Sequence, residues 1–146
     1  MIRPFRIHLN LENLKCFEVV EHQFEQYGIT IKNAIVLQPS NPAYPPRSGT
    51  NVLMCAPKSG WLEAIFSQPI CVFYCYVTSS QRTILSAYDH QSKLLASASI
   101  EGPNLAGTNS EIPANAQLSV EAANISRITL NSFDGQLTVT DLSFEF

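Results

Sequence analysis

The chain closes on apolar runs that alternate with period two. Thr83-Ile84-Leu85-Ser86-Ala87-Tyr88-Asp89 turns through His90-Gln91-Ser92-Lys93 into Leu94-Leu95-Ala96-Ser97-Ala98-Ser99. A longer loop then leads to Ile125-Ser126-Arg127-Ile128-Thr129-Leu130, the dipeptide Asp134-Gly135 and Gln136-Leu137-Thr138-Val139-Thr140-Asp141-Leu142-Ser143-Phe144. A period of two puts successive side chains on opposite faces of a strand, so this stretch can bury one face only by pairing as sheet. Asp-Gly is a favoured tight-turn pair, and the pattern predicts that the last two strands form a hairpin there.

The rest of the chain carries the same signature. Phe5, Ile7, Leu9 and Leu11 alternate with polar partners, which predicts a first strand from about residue 5. Ile29 to Leu37, Asn51 to Cys55, Trp61 to Ser67 and Leu118 to Val120 read as further strands. Ile70 to Thr78 is apolar on both faces, as in a central strand. Phe17, Val20, Phe24 and Tyr27 recur at three- and four-residue steps before Gly28, which predicts a short helix of two or three turns. Gln38 to Gly49 contains four prolines and reads as a stiff, extended loop; residues 101 to 116 form a second long loop. About nine strands with turn signals every 8 to 12 residues predict an all-β antiparallel β-sandwich of jelly-roll type, with one short helix after the first strand. With 146 residues and no repeat or linker, the chain reads as a single domain, 1–146.

Composition excludes several functions. Only 14% of residues are charged and the formal net charge is -3, with no Lys/Arg cluster, so phosphate backbones find nothing to bind and no nucleic-acid partner is expected. No apolar run reaches the roughly 20 residues of a membrane-spanning helix, so no membrane partner is expected either. Alternation begins almost at the first residue with no apolar leader before it, and the chain is read as cytoplasmic. Cys71 and Cys75 would lie about 13 Å apart along one strand, too far for a bridge or a shared zinc ion. Cys16, Cys55, Cys71 and Cys75 are therefore read as reduced thiols.

Catalytic signatures are missing. There is no Gly-x-Ser-x-Gly elbow, and His8, His22 and His90 stand beside no motif Ser or Cys. Glu18, Glu21, His22 and Glu25 would share one helical face, but without the His-Glu-x-x-His order they read as a solvated face. The glycines form no phosphate loop. The chain is read as a non-enzyme.

Binding is the sharper expectation. Sugars offer apolar ring faces to aromatic side chains, while polar groups read their hydroxyls. Tyr44 sits in the Pro-rich loop beside Asn41 and Arg47. Trp61 opens a strand on the face opposite Leu62 and Phe66, and Arg82 lies in a nearby turn. These five are the candidate ligand-binding residues for a carbohydrate or other small ligand. The competing expectation is a protein-interaction or assembly role with a protein partner or homo-oligomer, because Tyr74 and Tyr76 give the central strand a second apolar face. A binding module would be monomeric with Tyr44 or Trp61 exposed; an assembly protein would be oligomeric with them shielded.

The order of these pieces resembles the galactose-binding-like jelly-roll superfamily, which includes many carbohydrate-binding modules. The resemblance is carried by Leu9-Asn10-Leu11-Glu12, Phe24 to Ile31, Leu62 to Ile70, the Leu85-Ser86-Ala87-Tyr88-Asp89 hairpin with Leu94-Leu95, and Val139 to Phe144. The chain is also similar to bacterial, cyanobacterial-type proteins that share the Pro-rich and Ala-Tyr-Asp segments. The superfamily resemblance implies a lectin-like, non-catalytic module. It also implies a structural calcium between the first and last strands, with Glu12 and Asp141 as ligands. Thr140 stands where relatives often carry an acid, which removes one ligand from that set.

Overall fold

The computed structural model describes residues 6–146. It is all-β and antiparallel. The strands are β1 (Arg6–His8), β2 (Val19–Val20), β3 (Ile29–Lys32), β4 (Ala34–Leu37), β5 (Val52–Cys55), β6 (Trp61–Ser79), β7 (Thr83–Tyr88), β8 (Leu94–Ile100), β9 (Ala116–Asn131) and β10 (Leu137–Glu145). Their order is β2-β4-β5-β10-β6-β9-β7-β8, with β1 also on β10 and β3 also on β6.

The sequence separates Trp61–Ser67 from Ile70–Thr78, and the structure joins them into one strand of 19 residues. The ladder to β9 shifts between Ile65 and Ile70, around Pro69, which has no N–H to give. The first half of β6 pairs with β3 and the end of β9; the second half pairs with β10 and the start of β9. Phe66 lies in the first half. Its ring centroid is 5.1 Å from that of Phe144 on β10 and 6.2 Å from that of Phe73 in the second half. Side chains from both halves thus meet, so the sheet folds over onto itself in a manner consistent with a β-sandwich. Leu62, Ile128, Leu130, Phe73, Val139 and Phe144 all belong to one buried cluster.

Several expectations change. Phe5 lies outside the described residues. The first strand is short, ending at His8, yet Leu9 and Leu11 still reach the core. The expected helix is absent: residues 17–28 hold the two-residue β2 and a single 3-10 turn, Glu25–Tyr27. Half of its apparent apolar face is wet, with Phe17 68% exposed and Tyr27 also exposed. Phe17 has φ 69° and donates its N–H to Val36 O, and Val36 N–H returns to Glu18 O. The β-branched pair Val19-Val20 then completes an edge ladder on β4. Pairing with a strand already in place outweighs the weak helix preference of β-branched residues. Asn33, at φ 66°, splits the expected second strand into β3 and β4.

Asp134-Gly135 is not a hairpin turn. Both β9 and β10 pair with β6, on its opposite edges, and the turn carries the chain from beside Trp61 at the start of β6 to beside Ser79 at its end. The β7–β8 hairpin is as read. Its turn is tied by Asp89, whose Oδ1 accepts the N–H groups of Gln91 and Lys93, each at 2.9 Å.

All four cysteines are free. Burial pushes the Cys55 thiol up to about 12 and raises that of Cys75 as well. Only the thiolate attacks disulfide reagents. In a Cys-reactive dye assay near pH 8, exposed Cys16 is therefore expected to react first, and Cys55 and Cys75 only on unfolding. Rapid reaction of Cys75 in the native protein would contradict this packing.

Candidate functional site

β10 is buried along Leu137 to Phe144 on both faces. Leu137, Val139, Leu142 and Phe144 enter the core. The Pro-rich loop reaches over the opposite face to Gln136 and Asp141, and residues 101–115 tie that loop to the end of β6. Three contacts join these loops to each other and to the strands. Ala106 N–H donates to Ala43 O at 3.0 Å, Asn115 Nδ2 donates to Pro45 O at 2.9 Å, and Asn115 N–H donates to Thr78 Oγ1 at 2.9 Å.

A cleft of about 420 Å³ opens where this cover stops, between the Pro-rich loop and the Pro57–Gly60 turn. Its apolar lining includes Leu37, Pro39, Met54 and Pro57, and its polar lining includes Asn41, Gln136 and Thr138. None of its lining residues carries a charge. β4, β5 and β10 supply the floor: Ile35 pairs Met54, and Met54 pairs Thr138, so Met54 stands on the outward face of that row.

The structure gathers two of the five expected ligand residues here. Asn41 lines the cleft, its Oδ1 accepting Ala43 N–H at 3.0 Å and its carbonyl accepting Tyr44 N–H at 3.0 Å. Tyr44 also lines it, but as a buried wall. Its hydroxyl donates to Gln136 O at 3.2 Å, and burial raises its pKa. Tyr44 therefore anchors the loop and is not displayed for stacking. Arg47 points elsewhere: its guanidinium lies 3.7 Å from the Tyr76 ring centroid and donates to Asp141 Oδ2 at 2.9 Å. Trp61 is partly buried on the first half of β6, with Lys58 Nζ 5.7 Å from its ring centroid. Arg82 pairs with Glu101 at 3.0 Å. Sequence reasoning missed Met54, Pro57, Gln136 and Thr138, because lining a cleft needs no distinctive residue type.

The two expected calcium ligands do meet. Glu12 and Asp141 both border a small cavity of about 50 Å³. Glu12 Oε1 accepts Thr50 N–H and Oγ1, at 2.8 and 3.0 Å, and Oε2 accepts Asn51 N–H at 2.9 Å. Those bonds, with the Thr50 amide foremost, hold the Glu12 carboxyl below its ordinary range. Asp141 Oδ1 accepts Ser48 Oγ at 2.6 Å, and His8 Nε2 stands 3.7 Å away.

The acidic cluster near the missing helix is a set of exposed contacts. His22 lies 3.3 Å from Glu21 and 3.5 Å from Glu25, while Glu18 accepts from Lys15 N–H and Gln23. Among the described residues, no three His, Cys, Asp or Glu side chains are placed to hold a metal ion. Among the same residues, no helix is long and apolar enough to cross a membrane.

No protein-family model matches this chain, and no curated protein matches it. Solved structures do. A variant of a family 29 carbohydrate-binding module, complexed with mannohexaose, superposes with a TM-score of 0.51 and 6% identity, over 99% of this chain and 93% of that one. The family 29 module from Piromyces equi gives 0.47 and 8% over 81% and 80% of the two chains. The Clostridium thermocellum xylanase 10B fragment, its CBM22-1 and GH10 modules complexed with xylohexaose, gives 0.46 and 12% over 99% of this chain and 28% of that one. At such identities, what the first of these shares with this chain is its fold.

Proposed function

We propose that this chain is a non-catalytic, jelly-roll carbohydrate-binding module that takes a neutral saccharide in the cleft beside the Pro-rich loop. The observation that carries this reading is the cleft's chemistry. Met54 and the Pro39 and Pro57 rings offer apolar surface to a sugar's ring face. Asn41, Gln136 and Thr138 offer amide and hydroxyl groups to its hydroxyls. The uncharged lining favours a neutral ligand over a uronate or phosphorylated sugar. The tied-down loop loses little entropy on binding. The fold it shares with a module variant complexed with mannohexaose supports the same reading.

The test is calorimetric titration with mannohexaose and xylohexaose, followed by a glycan array. Met54→Trp should fill the cleft and weaken binding about tenfold or more, while leaving the melting temperature nearly unchanged because the residue faces outward. Binding that survives Met54→Trp would remove this cleft from consideration.

A second reading, assembly, is favoured by one observation. Phe17 and Val19 are 68% and 62% exposed and lie at or beside the edge strand β2. An uncapped apolar edge is a template for pairing with another chain. A solution mass above one chain, lowered by Phe17→Ser, would support that reading; a monomer would remove it.

A further inference from the structure

Five consecutive residues, Arg47 to Asn51, converge on two acids from opposite ends of the chain. Arg47 Nη1 and Ser48 Oγ donate to Asp141. Thr50 and Asn51 donate to Glu12. Gly49, between them, has φ 72°, and a Cβ there would fall 2.5 Å from Glu12 Cδ, so only glycine lets the carboxylate in. The strand gives way too. The β10 ladder loses register between Thr140 and Ser143, and Asp141 sits at φ 49°, a bulge of the kind that re-aims a side chain. Two backbone irregularities thus serve one corner, Gly49 admitting Glu12 and the bulge re-aiming Asp141.

A calcium ion needs six to eight oxygen ligands, several of them free carboxylate or carbonyl oxygens. This corner does not fit one. All four carboxylate oxygens already accept protein donors. The Leu11 and Leu14 carbonyls are taken by Asn51 Nδ2 at 2.9 and 3.1 Å. Among the described residues, no buried side-chain oxygen or nitrogen is left without a partner. The remaining cavity, about 50 Å³, has room for a water.

We propose that Arg47 is the resident cation of this corner, and that Glu12 and Asp141 are positioning residues that staple the end of the Pro-rich loop to the segment after β1 and to β10 without a divalent ion. The guanidinium supplies positive charge to Asp141, while Glu12 is satisfied by the Thr50 and Asn51 donors. Its planar fork stacks on Tyr76, 3.7 Å from the ring centroid, which a spherical ion could not do. Arg47 follows Tyr44 by three residues, so the staple fixes the loop that walls the cleft. Any effect on saccharide affinity rests on the function proposed above; the staple itself does not.

The experiment is thermal unfolding of the full chain after treatment with EDTA and again in millimolar calcium chloride, for the wild type, Arg47→Ala and Arg47→Lys. The wild type should melt at the same temperature in both. Arg47→Ala should melt about 5 °C lower or more, and Arg47→Lys, which keeps the charge but loses the stacking on Tyr76, should recover only part of that loss. Calcium that raises the wild-type melting temperature overturns the proposal, as does an Arg47→Ala protein that melts with the wild type, or a lysine variant no better than alanine. If Arg47→Ala does not fold, the wild-type calcium comparison still decides. Lost saccharide binding in a calcium-indifferent wild type would count against the cleft and leave the staple standing.

Discussion

Truncating Phe144 to alanine is expected to cost the fold about 3–5 kcal/mol, the range for emptying a large aromatic site in a packed core. Phe144 is fully buried on β10. Its ring stands edge-on to Phe66 at 5.1 Å and to Phe146 at 5.7 Å. Phe66 belongs to the half of β6 that does not pair with β10, so this contact holds the folded-over sheet together. Loss of the ring leaves a cavity between two halves that are tied together by β6 and β9 running through both, so they cannot collapse far. Against a total stability of about 5–15 kcal/mol, that is a large share. A denaturant melt should show a lower midpoint with an unchanged slope. A loss below about 1 kcal/mol would mean that the two halves do not meet at this ring.

The second large effect concerns Asn104, fully buried in the loop of residues 101–115. Its Oδ1 accepts Ser79 N–H at 2.7 Å, and its Nδ2 donates to Val77 O at 2.8 Å and Pro113 O at 3.1 Å. Its own N–H donates to Ser79 O at 3.0 Å. One side chain thus continues the hydrogen bonding along the edge of β6 that β9 leaves beyond Val77. Asn104→Ala strands a buried donor and a buried acceptor, at about 1–3 kcal/mol for each group left unpaired. It should also loosen residues 101–115 from the Pro-rich loop. Amide hydrogen exchange should therefore speed up at Ser79 and Ala106 in this variant. Unchanged exchange at Ser79 would show that the side chain is not its acceptor. Asn104→Asp is a sharper comparison: it keeps the acceptor but loses both donated bonds and adds a buried charge, so it should be at least as damaging.

The alternation in β6, β7, β9 and β10 was legible because a strand's side-chain period is local. Leu62, Ala64 and Phe66 are buried, while Trp61, Glu63 and Ile65 are less so, as period two requires. The missing helix was misread for a related reason. Phe17, Val20, Phe24 and Tyr27 keep helical spacing, but spacing says nothing of whether a strand edge competes for the same backbone. β4 offers one, and the segment takes it. The expected final hairpin failed because Asp-Gly specifies a turn and not which strands flank it. β6 lies between β9 and β10, and no local signal records that.

The candidate residues divide the same way. Tyr44 and Asn41 could be marked because a Pro-rich loop restricts its own shape, and both border the cleft. Whether Tyr44 faced solvent or the sheet depended on Gln136, 92 residues away, whose carbonyl takes its hydroxyl. Glu12 and Asp141 could be paired through the superfamily resemblance, but not the donors that meet them. Arg47 and Ser48 reach Asp141 across 94 and 93 residues. The sequence by itself determined that this chain is antiparallel sheet, that it is poor in charge and that its long loops are polar and proline-stiffened. All of these follow from local period and composition. Tertiary structure alone decided which strands are neighbours, which face of β10 the loops cover and which group answers each acid, because these depend on contacts between residues far apart in the chain.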